Sequence, residues 1–249
     1  VGVAITAGKL GIGFTDANVK VGNTALDSLT TGTENTAVGD KALTANTTGS
    51  TNTAVGYESL DANTTGSNNV GVGRKSLTEN TTGANNTALG TSALFSNTTG
   101  SDNTSVGFAA LDVNTTASNN TAVGSAALGA NTTGGSNSAV GKDALLVNTT
   151  GDANTAVGAY ALDANTTASN NTALGYLALT TNVTGSNNTG IGKDSLRDGT
   201  GDDNTGCGAF TLRANSTGSY NVAVGRGALI KNTTANHNTA VGHFALNTN

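Results

Sequence analysis

Proline, methionine and tryptophan are absent from this 249-residue chain, and cysteine occurs once, at Cys207. A single cysteine excludes an intramolecular disulfide and leaves the redox compartment open. Aromatic residues make up 4% and charged residues 11%, while Leu, Ile, Val and Phe together reach roughly a fifth, far less than a globular core uses. Low apolar content with high charge would indicate disorder, but here charge is low as well. Such a chain has to satisfy its backbone by hydrogen bonding, and a regular β stack does this.

The 11 basic and 16 acidic residues give a net charge of −5 with neither sign gathered into a block. That balance argues against nucleic acid and anionic membrane as partners. No apolar run approaches the roughly 18 residues of a membrane span. Neither an initiating Met nor a signal peptide is visible, so a processed or excerpted chain is expected.

What is abundant is one phrase. Asn18, Asn35, Asn52, Asn69, Asn86, Asn103, Asn120, Asn137, Asn154, Asn171, Asn188, Asn204, Asn221 and Asn238 open fourteen near-copies of NTAVGxxALxxNTTGSN. The spacing is 17 residues throughout except from Asn188 to Asn204, which is one shorter. Self-similarity at this period signals a solenoid, in which units too thin to fold singly bury their apolar faces by stacking.

The copies differ in ways that report what each position demands. Position 5 is always Gly, from Gly22 to Gly242, as a corner with positive φ or close chain approach requires. Position 9 is always Leu, from Leu26 to Leu246; position 4 is aliphatic, as in Val38, Val55, Val72, Leu89 and Ile191, and becomes Cys207 once. These read as two inward core ladders, with Leu43, Leu60 and Leu77 in the second, and position 2 (Thr36, Val70) shares a face with position 4 at period two. On that reading Cys207 is a small buried hydrophobe. Positions 3 and 8 are small, and 6, 7, 10 and 11 vary as solvent-facing sites do.

Each coil is thus expected to hold a strand at TAVG, a corner at Gly, a second short strand at AL and a turn at NTTG. The Asn residues at positions 1 and 12 would stack as ladders or cap their own turns. Helix is excluded, because no stretch keeps a 3.6 period for three turns. Residues 1–17 read as a degenerate opening coil, with Leu10-Gly11-Ile12-Gly13 echoing Val70-Gly71-Val72-Gly73. Residues 18–249 read as a single repeat domain that stops in mid-repeat, and the natural protein is expected to continue beyond it.

The phrase resembles the head repeats of YadA-like trimeric autotransporter adhesins, and more closely the longer repeats of phage tail-fibre and bacterial tail-fibre-domain proteins. The likeness covers about residues 18–249. It implies a left-handed parallel β-roll, three chains side by side, and a role in attachment or as a shaft. The present unit is three residues longer than the head repeat, in the NTTGSN turn, and no self-cleaving chaperone domain is present whose catalytic residues could be carried over.

Several features invite sharper readings. Asn at position 12 is followed two residues later by Thr, even at Asn182-Val183-Thr184 and Asn215-Ser216-Thr217, the acceptor pattern for N-glycosylation; a turn held by Asn and Thr side chains is the preferred alternative. Asp198, Asp202 and Asp203 gather around Gly199 and Gly201, fitting neither the EF-hand nor the RTX spacing for calcium, and read as a solvated loop. His237 and His243 have no companions at metal-ligand spacing. No metal, cofactor or catalytic residue is therefore assigned, and an enzyme is the least favoured class. Tyr57, Phe108, Tyr160, Tyr176, Phe210 and Phe244 fall at positions 6 and 7, where a row fits a cell-surface glycan, a host receptor or a neighbouring chain, with chain contact preferred.

One coil buries too little to order its own backbone, so a parallel homotrimer or filament is expected, with the Ala-rich or Thr/Val face at the interface. The expected function is an extracellular fibre shaft or adhesin segment, on a cell surface or a virion tail. The alternative is a solenoid that lays Thr and Asn ladders, the Thr at positions 13 and 14, on ice, mineral or crystalline polysaccharide.

Overall fold

The computed structural model describes the backbone of residues 13–15 and all of residues 17–247. Most of the expected opening coil of residues 1–17, including Leu10, Gly11 and Ile12 of its echo, lies outside the described residues. The protein is an all-β, parallel β-solenoid whose coils repeat every 17 residues, in two compact units, Val1–Asn119 and Asn120–Asn249.

In the first unit β1 (Gly13–Thr15) pairs antiparallel with β2 (Asn18–Val21). From β2 the order continues in parallel through β3 (Thr36–Val38), β4 (Thr53–Val55), β5 (Val70–Val72), β6 (Thr87–Leu89) and β7 (Thr104–Val106). The second unit stacks β8 (Thr121–Val123), β9 (Ser138–Val140), β10 (Thr155–Val157), β11 (Thr172–Leu174), β12 (Thr189–Ile191), β13 (Thr205–Cys207), β14 (Val222–Val224) and β15 (Thr239–Val241), all parallel. The register pairs equivalent residues, Thr36 with Thr53 and Val38 with Val55. It survives the short coil, where Thr189 pairs with Thr205, because the missing residue is lost from the turn and not from the strand.

Two expectations are overturned. The segment around AL is a turn and not a second strand: residues 40–45 carry no extended structure, and Leu43 sits at φ +52°. Every described Leu at position 9 adopts this left-handed conformation, uncommon for a residue with a Cβ. Its backbone still bonds between coils, Leu43 N–H donating to Ser59 O at 3.1 Å. The burial gained by driving the side chain into the core holds it there, and Leu43, Leu60, Leu128 and Leu145 are fully buried.

The second correction concerns the strand register. Position 3 faces inward, with Ala37, Ala54, Ala122 and Ala156 fully buried, whereas no residue at position 4 is buried. Val38, Val55 and Val72 are half-exposed, Leu89 is 48% exposed and Leu174 45%, and Cys207 is exposed. The cause is volume. Each coil encloses little more than one Leu, two small residues and two Asn, and from β3 onward position 3 is held to Ala, Ser or Gly, with Ser105 Oγ donating to Ala110 O at 2.8 Å. Gly71 marks the limit: a Cβ there would lie 2.6 Å from Ser59 Oγ and 3.4 Å from Leu60 Cδ1. Where position 3 shrinks to Gly, hydroxyls at position 8 fill the space, Ser59 meeting Ser76 at 2.9 Å beside Gly71 and Ser195 meeting Thr211 at 2.7 Å beside Gly206.

Candidate interaction surfaces

The interior is half polar, and its polar half is closed to partners. Asn35 Nδ2 donates to Gly49 O at 2.9 Å, closing its own coil, while its Oδ1 accepts the Asn52 N–H of the next coil at 3.0 Å. At position 12, Asn63 Nδ2 donates to Gly66 O at 3.0 Å and to Asn46 Oδ1 at 2.8 Å. Asn46, Asn63, Asn80, Asn97, Asn148 and Asn165 are fully buried, so the sequon amides serve as ladder rungs and turn staples and are inaccessible to a glycosyltransferase in the folded chain. Thr at position 13 is occupied too, Thr47 Oγ1 donating to Thr64 O at 3.0 Å.

Asn148 allows a direct test. Its amide donates to Asn131 Oδ1 at 2.9 Å and to Gly151 O at 3.0 Å, and its Oδ1 accepts from Asn165 at 2.7 Å. Asn148→Asp puts a carboxylate against two acceptors and strands them; each stranded buried group costs about 1–3 kcal/mol. Chemical denaturation is expected to show a loss of about 2–6 kcal/mol, and a loss below about 1 kcal/mol would remove the ladder from the account of stability.

The calcium reading gains no support from geometry. Asp198 turns to Arg197 at 2.8 Å and Asp202 Oδ1 accepts the Ser186 N–H at 2.7 Å, so these carboxylates do not converge. His237 stacks on Tyr220 with centroids 5.0 Å apart, and His243 lies edge-on to Phe244 at 4.4 Å. Among the described residues no three His, Cys, Asp or Glu side chains gather at a metal-binding site.

Two outward surfaces remain. One is the outer face of the strands, where Thr, Val or Ser at position 2 alternates with the aliphatic at position 4. The other is the corner after the invariant Gly, which bears the aromatic residues. In the first unit two of this corner's cations share one carboxylate: Glu58 is clamped by Lys41 at 3.1 Å and Lys75 at 3.5 Å, and hydrogen bonds from Tyr57 and Lys41 hold its carboxyl pKa at about 2. In the second unit Lys142 lies 4.9 Å from the Tyr160 centroid, and Tyr160 packs edge-on to Tyr176 at 6.2 Å. The corner lies where the spacing of the aromatics places it, whereas the strands present to solvent the face expected inside. The signal that would have identified it is small size, not hydrophobicity, at position 3.

No protein-family model matches this sequence, and no curated protein matches it.

Proposed function

We propose that this chain is a non-enzymatic structural module, a left-handed parallel β-roll that forms part of an extracellular fibre shaft or adhesin on a bacterial surface or phage tail. Copies associate side by side, as a trimer or a filament, through the outer faces of the strands. The observation that carries this reading is the outward aliphatic ladder at position 4. A strand facing only water would alternate to polar residues there, yet Val, Leu or Ile recurs in coil after coil.

The energetics favour length over any single contact. Full burial of a Val or Leu contributes about 1.5–3 kcal/mol; these side chains are already half covered, leaving roughly 1 kcal/mol per coil. Summed over the coils of one unit, this is on the order of the cost of association, about 4–15 kcal/mol. The resemblance to trimeric fibre repeats points the same way.

Cys207 is a native reporter of that face. At nanomolar concentration its thiol is expected to react quickly with a thiol reagent. At micromolar concentration reaction is expected to slow as the chain sediments at three times its mass of 24.2 kDa or larger. Slow labelling at every concentration would put position 4 inside the coil. Fast labelling of a 24.2 kDa species at micromolar concentration would end the association reading.

One observation favours a second reading. Thr at position 2 and an aliphatic at position 4 stand on alternate residues of a parallel sheet, a flatter array than the Thr pairs of the turn. Such an array could meet ice, mineral or crystalline polysaccharide. Its side chains vary in size, through Val, Leu, Ile and Cys at position 4 and Thr, Val and Ser at position 2, which suits repacking against protein better than registry with a lattice. Thermal hysteresis by a monomeric species would reverse that preference.

A further inference from the structure

The negative charge of the chain conceals a reversal near its C-terminal end. All 16 acidic residues lie at or before Asp203, whereas residues 204–249 carry Arg213, Arg226, Lys231 and two His with no carboxylate side chain. The second unit places these cations beside its exposed rings. On successive coils the Phe210 centroid is 5.8 Å from Lys193 Nζ and 5.6 Å from the Arg226 guanidinium, which is itself 5.3 Å from the Phe244 centroid. Arg213 approaches Phe210 from a neighbouring position at 5.8 Å.

These cations differ in having no counter-charge from every described cation upstream except Arg74. Lys20, Lys41, Lys75, Lys142 and Arg197 each meet a carboxylate. Among the described residues no carboxylate lies within ion-pair distance of Lys193, Arg213 or Arg226. Lys193 and Arg226 are exposed, and Phe244 is 38% exposed. The rings hold the cations in a file that alternates cation and ring at each coil, about 4.8 Å apart, so that Lys193 and Arg226 stand two coils apart and little side-chain freedom is left to lose on binding.

We infer that the file of Lys193, Phe210, Arg213, Arg226 and Phe244 is a binding site for a linear anionic polysaccharide bearing carboxylate or sulfate groups. The guanidiniums meet those groups in paired hydrogen bonds. Ring surface left exposed, as at Phe244, packs against the apolar C–H faces of the sugars. A nucleic acid fits less well. Sequence-tolerant binding of single strands needs an open ring face for each base, and here cations occupy the faces. The inference deepens the attachment reading and depends on this corner alone, not on association of copies.

The test uses the full chain with heparin as the sulfated probe and polygalacturonate as the carboxylated one. Neutral dextran and a single-stranded DNA oligomer serve as controls, and sedimentation is run in parallel. At least one acidic polysaccharide is expected to bind, with affinity falling as salt rises. Arg226→Gln and Phe210→Ala are each expected to weaken it at least tenfold, and Arg74→Gln, at the same corner of the first unit, less than twofold. Thermal melting and sedimentation of Arg226→Gln should match the parent, which separates loss of this site from loss of assembly. Binding of neither polysaccharide at low salt, equal weakening by Arg74→Gln, or tighter binding of the DNA would each overturn the inference.

Discussion

Leu128→Asp is expected to prevent folding of the coil that begins at Asn120 and of the coil stacked on it. Leu128 is fully buried, its N–H bonds Ala144 O at 3.0 Å, and its carbonyl accepts from Asn131 at 3.1 Å. Losing the leucine removes about 1.5–3 kcal/mol of burial, and a carboxylate with no cation in reach adds several kcal/mol more. Neighbouring coils stabilise one another in a solenoid, so the damage spreads along the stack. Limited proteolysis is expected to cut within residues 120–153 of the variant and to spare the parent. Leu128→Met, close to it in volume, should cost less than about 1.5 kcal/mol. A Leu128→Asp protein that melts with the parent would remove position 9 from the core.

Gly141→Ala is the second large effect, and its cause is a positive φ at a point of close backbone approach. Gly141 has φ +138°, and a Cβ on it would stand 2.6 Å from the Gly158 carbonyl carbon and oxygen in the next coil. Neither atom can yield without breaking the stack, since Gly158 N–H bonds Val140 O at 2.8 Å. Backbone strain of this kind alone costs about 1–3 kcal/mol, and the clash adds to it. Calorimetry is expected to show a melting temperature lower by at least about 6–12 °C, the equivalent of about 3 kcal/mol in a chain of this size. Gly151→Ala, at position 15, is the control. Its Cβ would also approach a carbonyl oxygen, at 2.3 Å, yet the chain itself carries Ala117 and Ala168 at that position, 5% and 3% exposed. The Gly151→Ala variant should therefore melt within a few degrees of the parent, and equal losses at both sites would show that φ is not the deciding factor.

The two glycines show which structural demands could be read from the chain. Comparing its own copies shows that position 5 admits Gly alone while position 15 admits Ala, and the structure supplies the reason, a positive φ at the first and ordinary backbone at the second. The buried Asn ladders were legible in the same way, because an amide that recurs at one level of every coil has its equivalents above and below as partners. Positive φ at Leu43, Lys41 and Thr51 was not legible. Nothing in a Leu, Lys or Thr marks left-handed backbone, and the tight turns between one strand and the next impose it.

The amino-acid sequence by itself determined the coil, its 17-residue period, its stacking and the Leu ladder, because each follows from a residue type repeated at a fixed interval. Which face of TAV looks inward was decided only by the tertiary structure. Alternation at period two separates the two faces but does not orient them, and by hydrophobicity Val38 belongs inside. In the closed coil Leu43 already fills the space opposite the strand. Ala37 fits against it and Val38 does not, so the larger apolar residue turns outward and forms the surface on which the proposed assembly rests.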